Sequence, residues 1–233
     1  IIILLGTHAF CTVRTGFVQK YTFKGMRLSV TPDTDGEGEV SQFGALTTAL
    51  AATIGTGNII GVATAVASGG PGAVFWMWIT GVFGMATKYM ETAMAVKYRE
   101  QTKDGRMMGG AFTALELGLH SKWLAVLFAL FGGVAAFGIG CLTQANSIST
   151  ALKQNFGVDE RMAGIVVAIL TAIVIIGGVK SITKVTERLI PFMAAFYILG
   201  CLWVIFMNRS VLGQSIALIF KSAFSFQAGA GGV

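Results

Sequence analysis

The glycine and polar residues best suited to a binding site lie in the segment from Ala51 to Gly61. It contains Gly55, Thr56, Gly57 and Asn58 near the middle of an uncharged apolar run over 42–67. Two glycines and a β-branched threonine make a poor helix. If this run crosses lipid, a helix break there frees backbone carbonyls and amides that must face protein, water or a ligand. The pattern therefore predicts a binding site built from unwound backbone.

Two interpretations of this segment stay open. Discontinuous helices build the substrate and ion sites of many secondary transporters, with helix N-termini facing an anionic group and unwound carbonyls holding Na⁺. Alternatively, Gly55, Gly57 and Gly61 only allow close packing, as small residues do between membrane helices. Asn58 favours the binding interpretation, because an amide at this depth needs polar partners.

Outside this segment, few amide or charged residues lie within the apolar runs. Gln144 and Asn146 predict either hydrogen bonds between helices or ligand contact. Lys88 and Glu91 lie one helical turn apart, which predicts a mutual ion pair, with a proton relay as the alternative. Without a nucleophile–base pair or a metal-ligand cluster in the sequence, we expect no enzyme. We assign no chemistry to two histidines and expect three cysteines to pack in the core: His8, His120, Cys11, Cys141 and Cys201.

Composition places these residues in a membrane. Of 233 residues, 54% are hydrophobic and 12% are charged, against about 25% charged in soluble domains. Lipid-spanning backbone must be helical or form a closed barrel, and the apolar runs show no polar–apolar alternation. An all-α integral membrane protein is predicted, with the lipid bilayer as its partner. The net charge of +6 is spread between the apolar runs, which argues against a nucleic-acid partner.

The apolar runs predict six crossings and the start of a seventh, since about 20 apolar residues cross a bilayer. The six gaps between them, counted with Lys97 and Arg188 at the ends of the adjoining crossings, hold 4, 0, 5, 2, 3 and 1 Lys or Arg residues. The positive-inside rule then places the odd-numbered gaps in the cytoplasm and the N-terminal end of the first crossing outside the cell. Residues 14–28 predict an amphipathic interfacial segment, and residues 31–39 an acidic loop. The crossings are 1–11, 42–67, 72–97, 123–152, 162–179, 187–208 and 211 onward.

A second glycine-rich stretch, Ala228-Gly229-Ala230-Gly231-Gly232, lies five helices after the first. Because five is odd, the helix that carries it enters from the opposite side. This spacing fits an inverted repeat with a broken helix opening each half. The expected division is a truncated helix and loop at 1–40, a first five-helix repeat at 41–209, and the start of a second repeat at 210–233.

Thr48 to Glu100 closely resembles the alanine/glycine:cation symporter (sodium:alanine symporter) family. The likeness rests on Gly69-Gly70-Pro71-Gly72-Ala73-Val74-Phe75-Trp76-Met77-Trp78, followed by Gly84-Met85-Ala86-Thr87-Lys88. A weaker likeness extends over nearly the whole chain. One departure is Gly109-Gly110-Ala111-Phe112-Thr113, where the family usually has Gly-Gly-Pro followed by Met and tyrosines; this puts loop packing and substrate range in question.

The resemblance implies the N-terminal part of a transporter with two inverted five-helix repeats and broken helices. The implied function is Na⁺-coupled symport of alanine or glycine across the inner membrane of a prokaryotic cell. We expect the chain to need a missing C-terminal half. Rivals are an H⁺-coupled carrier and a non-transporting sensor or channel. The implied substrate-binding residues are Thr56, Gly57, Asn58 and Gln144, and the sodium candidates are Ala51, Thr53, Ile54 and Asn58.

Overall fold

The computed structural model describes residues 2–32, 40–105, 107–225 and 228, and these residues are predominantly helical. The prediction of a helical membrane protein is confirmed. Most of the acidic loop (33–39) and of the second glycine-rich stretch (229–232) lies outside the described residues. The chain forms two compact units. One comprises residues 1–28, 57–91 and 191–233, and the other comprises 29–56 and 92–190.

Eleven α-helices occur in the described ranges, together with short 3₁₀ and π segments. In chain order they are α1 (Ile2–Arg14), α2 (Thr22–Val30), α3 (Gln42–Thr53), α4 (Thr56–Gly69), α5 (Gly72–Lys97), α6 (Ala111–Thr113), α7 (Lys122–Ala135), α8 (Thr143–Phe156), α9 (Glu160–Ile176), α10 (Gly178–Met207) and α11 (Arg209–Ser222).

Three helical stretches in the described residues are long and apolar enough to cross a membrane. They are Gln42–Gly69, Lys122–Phe156 and Gly178–Met207, with 28, 35 and 30 residues. At 1.5 Å per residue each exceeds the hydrocarbon core of about 30 Å. The other predicted crossings correspond to α1, α5, α9 and α11.

The stretch Lys122–Phe156 contains a π segment, Ala136–Leu142, between α7 and α8. A π turn accommodates one extra residue relative to an α turn. The Thr143 hydroxyl follows this wider spacing and donates to the carbonyl of Gly138, five residues back, at 3.0 Å.

The gap predicted between the fifth and sixth crossings is helical in the structure. Residues 180–186 lie inside α10, which begins at Gly178 directly after α9 ends at Ile176. The turn is made by Gly177 and Gly178, and Gly178 has a left-handed φ of +70° that glycine adopts without steric cost. Residues 179–190 contain no further glycine or proline, so a charged stretch continues as helix.

The third gap is also more structured than a plain loop. Glu100–Gln101 (β1) pairs antiparallel with Met107–Met108 (β2). Next come α6 and a π segment, Ala114–Gly118. The backbone at Gly109 approaches Ala95 and Arg99 so closely that a Cβ there would lie 2.7 Å from the Ala95 carbonyl.

The first turns of α3 are fixed against α10. The Ser41 side chain caps α3 by accepting from the Gly44 amide at 2.9 Å. Its hydroxyl donates to Glu187 Oε1 at 2.8 Å. About two turns along α3, the hydroxyls of Thr48 and Thr186 lie 3.2 Å apart. These contacts orient the helix that carries the candidate site.

In the other unit, α5 contacts α11. The Trp76 indole N–H donates to the carbonyl of Ala223 at 2.6 Å. The Phe75 ring meets Phe220 edge-on at 5.6 Å between centroids. A Cβ on Gly72 would collide with the Ser222 carbonyl. The family-like tryptophan motif therefore forms a packed helix contact.

Replacing Gly44 with alanine should destabilise the protein. A Cβ there would lie 2.6 Å from Glu187 Oε1 and would collide with Thr183. Overpacking of this kind costs about 1–3 kcal/mol. Thermal melting of the purified protein measures the effect.

Gly61→Ala is the matched control, since a Cβ on Gly61 has nothing within 4 Å and alanine is the better helix former. A Gly44→Ala protein that melts as high as Gly61→Ala would contradict the close packing of α3 on α10.

Candidate functional site

The candidate site is centred on a two-residue interruption of the helical backbone. The last α-helical hydrogen bond of α3 runs from the Ile54 amide to the Leu50 carbonyl at 2.7 Å. Ile54 is then extended, with φ −90° and ψ 92°, and α4 starts at Thr56. The interruption falls at Ile54 and Gly55, where β-branched residues meet a glycine and helix propensity is low.

The interruption leaves carbonyl oxygens without donors at the end of α3. The last four carbonyls of a helix have no intrahelical partner. Of these, Leu50 accepts from Ile54, while no donor among the described residues reaches the carbonyls of Ala51 or Thr53. The Thr53 hydroxyl donates back to the Ala49 carbonyl at 2.8 Å. Neutral oxygens of this type suit an alkali cation.

Gln144 of α8 lies against the start of α4. Its Oε1 accepts from the Thr56 hydroxyl at 2.5 Å and weakly from the Thr56 amide at 3.4 Å. A Cβ on Gly55 would lie 3.4 Å from Gln144 Nε2. A helix N-terminus carries partial positive charge, so the amide oxygen occupies a place that also suits a carboxylate oxygen.

The structure brings together some of the predicted site residues. Thr56 and Gln144 are hydrogen-bonded and half-buried, although 88 positions separate them. Ala51, Thr53 and Ile54 lie at the end of α3 and at the interruption. Their roles toward a ligand stay predictions.

Gly57 and Asn58 occupy the first turn of α4 and are exposed. The Asn58 carboxamide makes no hydrogen bond to the residues that the structure describes. Asn146, two positions after Gln144 on α8, is exposed as well. Of the two amides that the sequence singled out on α8, only Gln144 contacts the interruption.

Lys88 and Glu91 form the predicted ion pair, with Nζ and Oε1 3.0 Å apart. Their side chains are 71% and 53% exposed. Exposed pairs contribute about 0–1 kcal/mol. The pair is consistent with a surface role.

His8 is a polar contact that the sequence analysis missed. It is buried in α1, and its Nδ1 lies 2.7 Å from the Thr87 hydroxyl of α5. Its ring also lies over Gly84, where a Cβ would be 3.7 Å from Nε2. An ionisable side chain in an apolar membrane helix signals such a partner. Cys11 is buried on the same helix, whereas Cys141 and Cys201 are exposed, so the prediction of core packing was wrong for those two.

A double-mutant cycle should detect coupling between His8 and Thr87. The variants are His8→Phe, Thr87→Val and the pair. Hydrogen bonds between membrane helices average about 0.6 kcal/mol and reach about 1.7 kcal/mol. We expect a coupling energy in this range from chemical denaturation of the purified protein.

The control cycle pairs Thr87→Val with His120→Phe, because His120 is exposed and distant in sequence. Equal coupling energies in both cycles would show that the His8–Thr87 contact contributes nothing.

Comparison with known proteins adds independent evidence. The model of the sodium:alanine symporter family matches residues 1–233. The chain is 52% identical to the sodium/alanine symporter AgcS of Methanococcus maripaludis, covering 99% of this chain and 52% of that protein.

Two further relatives agree. An uncharacterized transporter of Haemophilus influenzae is 48% identical over 100% of this chain and 51% of its own length. The amino-acid carrier protein AlsT of Bacillus subtilis is 38% identical over 99% of this chain and 49% of its own. The chain thus spans about half the length of the curated relatives it matches.

Proposed function

This chain is a multi-pass membrane protein of the sodium:alanine symporter family, and we propose that the full-length protein carries a small neutral amino acid into the cell together with Na⁺. The proposed amino acid is alanine or glycine. The observation that carries the proposal is the Gln144 oxygen held at the first residue of α4. A site that places an oxygen on a helix N-terminus also suits a substrate carboxylate.

The substrate carboxylate is proposed to replace the Gln144 oxygen at Thr56. The Thr56 hydroxyl and the amides of the first turn of α4 supply the donors, because the first four amides of a helix lack intrahelical partners. Gly57 lacks a Cβ, so backbone there is accessible to a ligand. Asn58 and Gln144 then offer amide groups to the rest of the amino acid.

Na⁺ is proposed to bind the carbonyl oxygens that the interruption leaves without donors. Candidates are the carbonyls of Ala51, Thr53 and Ile54 and the side-chain oxygen of Asn58. A bound cation beside the substrate carboxylate stabilises the negative charge, so each ligand favours the other by the same free energy. This reciprocity couples the binding of the substrate to the binding of Na⁺.

The Na⁺ gradient supplies enough free energy to accumulate the amino acid inside the cell. One Na⁺ moving through ~100 mV releases about 2.3 kcal/mol, and a tenfold concentration ratio adds about 1.4 kcal/mol. The sum supports accumulation by several hundredfold, at about 1.4 kcal/mol per factor of ten.

The architecture proposed for this transport is two inverted five-helix repeats that alternate access around a fixed site. Residues 41–209 form the first repeat after a leading helix and loop at 1–40, and residues 210–233 begin the second. Broken helices open both repeats. The second repeat supplies the remaining wall of the cavity, which makes it the essential partner of this chain.

Uptake in proteoliposomes tests the proposal. We expect the full-length protein to accumulate labelled alanine under an inward Na⁺ gradient, and not under matched K⁺ or H⁺ gradients. Asn58→Ala should raise the Na⁺ concentration needed for half-maximal uptake, because it removes a proposed ion ligand, while Asn146→Ala should leave it unchanged.

Accumulation driven by H⁺ alone would replace Na⁺ with H⁺ as the coupling ion. Absence of uptake of alanine and glycine under every gradient, with folded protein, would favour a sensor or a different solute. Downhill flux that saturates at no alanine concentration would indicate a channel.

Two substitutions at Thr56 separate its hydroxyl from its shape. Thr56→Val removes the donor and should raise the KM for alanine about tenfold to a hundredfold, since a hydrogen bond to a charged group contributes about 1.5–3 kcal/mol. Thr56→Ser keeps the hydroxyl and should remain close to wild type.

Saturation curves of initial uptake rates measure both variants. If Val and Ser substitutions change KM equally, the Thr56 hydroxyl does not bind the substrate.

A further inference from the structure

A cavity separate from the candidate site lies between α2 and α5. Its volume is about 500 Å³. The polar part of its wall is formed by Gln19, Tyr21 and Lys24, and the apolar part includes Leu28 and Met85, with Tyr89 at its edge. The cavity therefore combines a cation, two phenol groups and apolar surface.

The segment that forms one wall is strongly basic. Residues 2–32 contain four Lys or Arg residues and no Asp or Glu. Lys20 Nζ lies 5.0 Å from the centre of the Tyr21 ring. On α5, the carboxylate of Glu91 is paired with Lys88. The charge around the cavity therefore complements an anion.

The position of the segment matches a membrane–water interface. The first residue that lines the cavity, Val18, lies four residues after the end of α1 at Arg14, and the positive-inside rule predicts that this end is cytoplasmic. On α2, Phe23 and Met26 are 85% and 62% exposed, so the helix presents large apolar side chains together with the basic residues Lys24 and Arg27. Such helices lie in the headgroup region.

Gln19 fixes the wall of the cavity to α1 and α5. Its Nε2 donates to the Thr12 hydroxyl at 2.9 Å and to the Val82 carbonyl at 3.3 Å. A carbonyl oxygen only accepts hydrogen bonds, so the nitrogen of the Gln19 amide, and not its oxygen, faces Val82. Its Oε1 is buried and has no hydrogen-bond partner among the described residues. This oxygen has almost no accessible surface, so a ligand in the cavity meets the Tyr21 hydroxyl and Lys24 rather than Gln19.

We propose that this cavity binds one anionic phospholipid of the cytoplasmic leaflet, with phosphatidylglycerol as the best chemical match. The phosphate lies near Lys24, which is close in sequence to Lys20, a head-group hydroxyl donates to the Tyr21 oxygen, and an acyl chain follows the apolar wall at Leu28 and Met85. The site goes beyond amino-acid transport and does not depend on it.

Native mass spectrometry of the detergent-purified full-length protein tests the proposal by titration with phosphatidylglycerol or phosphatidylcholine. We expect one phosphatidylglycerol retained in preference to phosphatidylcholine. Each lysine near an anionic lipid surface changes affinity about fivefold, so Lys20→Gln with Lys24→Gln should weaken retention about 25-fold. Lys103→Gln, a lysine after β1, is the matched charge control and should not change it.

A second variant separates the cavity from a merely basic surface. Gly25 lines the cavity, and a Cβ there has nothing within 4 Å. Gly25→Leu should therefore fill the space without removing charge and abolish retention. Equal retention of both lipids, or wild-type retention by Gly25→Leu or by the double lysine variant, would overturn the proposal. Displacement of the lipid by millimolar inorganic phosphate alone would also overturn it, because phosphate would then be the ligand.

Discussion

Hydrogen bonding of the backbone inside lipid is the constraint on which this structure depends. A spanning helix satisfies its own amides and carbonyls, and any interruption needs substitutes for the lost bonds. Here the interruption at Ile54 and Gly55 is covered from one side by Gln144, which accepts from Thr56. The other end of α3 is held by Ser41 and Glu187. Both contacts lie in the unit that contains α8 and the first part of α10, so these helices position the site.

The Gln144 contact joins two neutral groups, which suits a binding site. Hydrogen bonds between membrane helices average about 0.6 kcal/mol, whereas bonds to charged groups contribute about 1.5–3 kcal/mol. In the proposed mechanism a substrate carboxylate therefore displaces the neutral amide oxygen with a net gain. In this structure the amide oxygen accepts from Thr56.

The position of the interruption could be predicted from sequence because helix propensity is a local property, and Gly55, Gly57 and Asn58 lie together. The Thr56–Gln144 contact could not, since nothing local links residues 88 positions apart. The helical structure of the gap at 180–186 could not be predicted for a related reason. Charges there indicated a connection between crossings, but a turn at Gly177 and Gly178 needs only two residues, and the lysines continue the helix. His8 was missed because its partner, Thr87, lies on another helix.

The π segment at Ala136–Leu142 sets which side chain of α8 meets the interruption. Each residue of an α-helix turns the chain by about 100°, and the π segment absorbs a residue that an uninterrupted helix would carry into α8. A chain shorter by one residue in this segment would present Thr143 or Ala145 in place of Gln144, with every later side chain of the helix rotated equally. Sequence alignments across Ala136–Leu142 should therefore be compared for length before identity. A one-residue gap there changes which residue contacts the interruption, even when the sequence of α8 is unchanged.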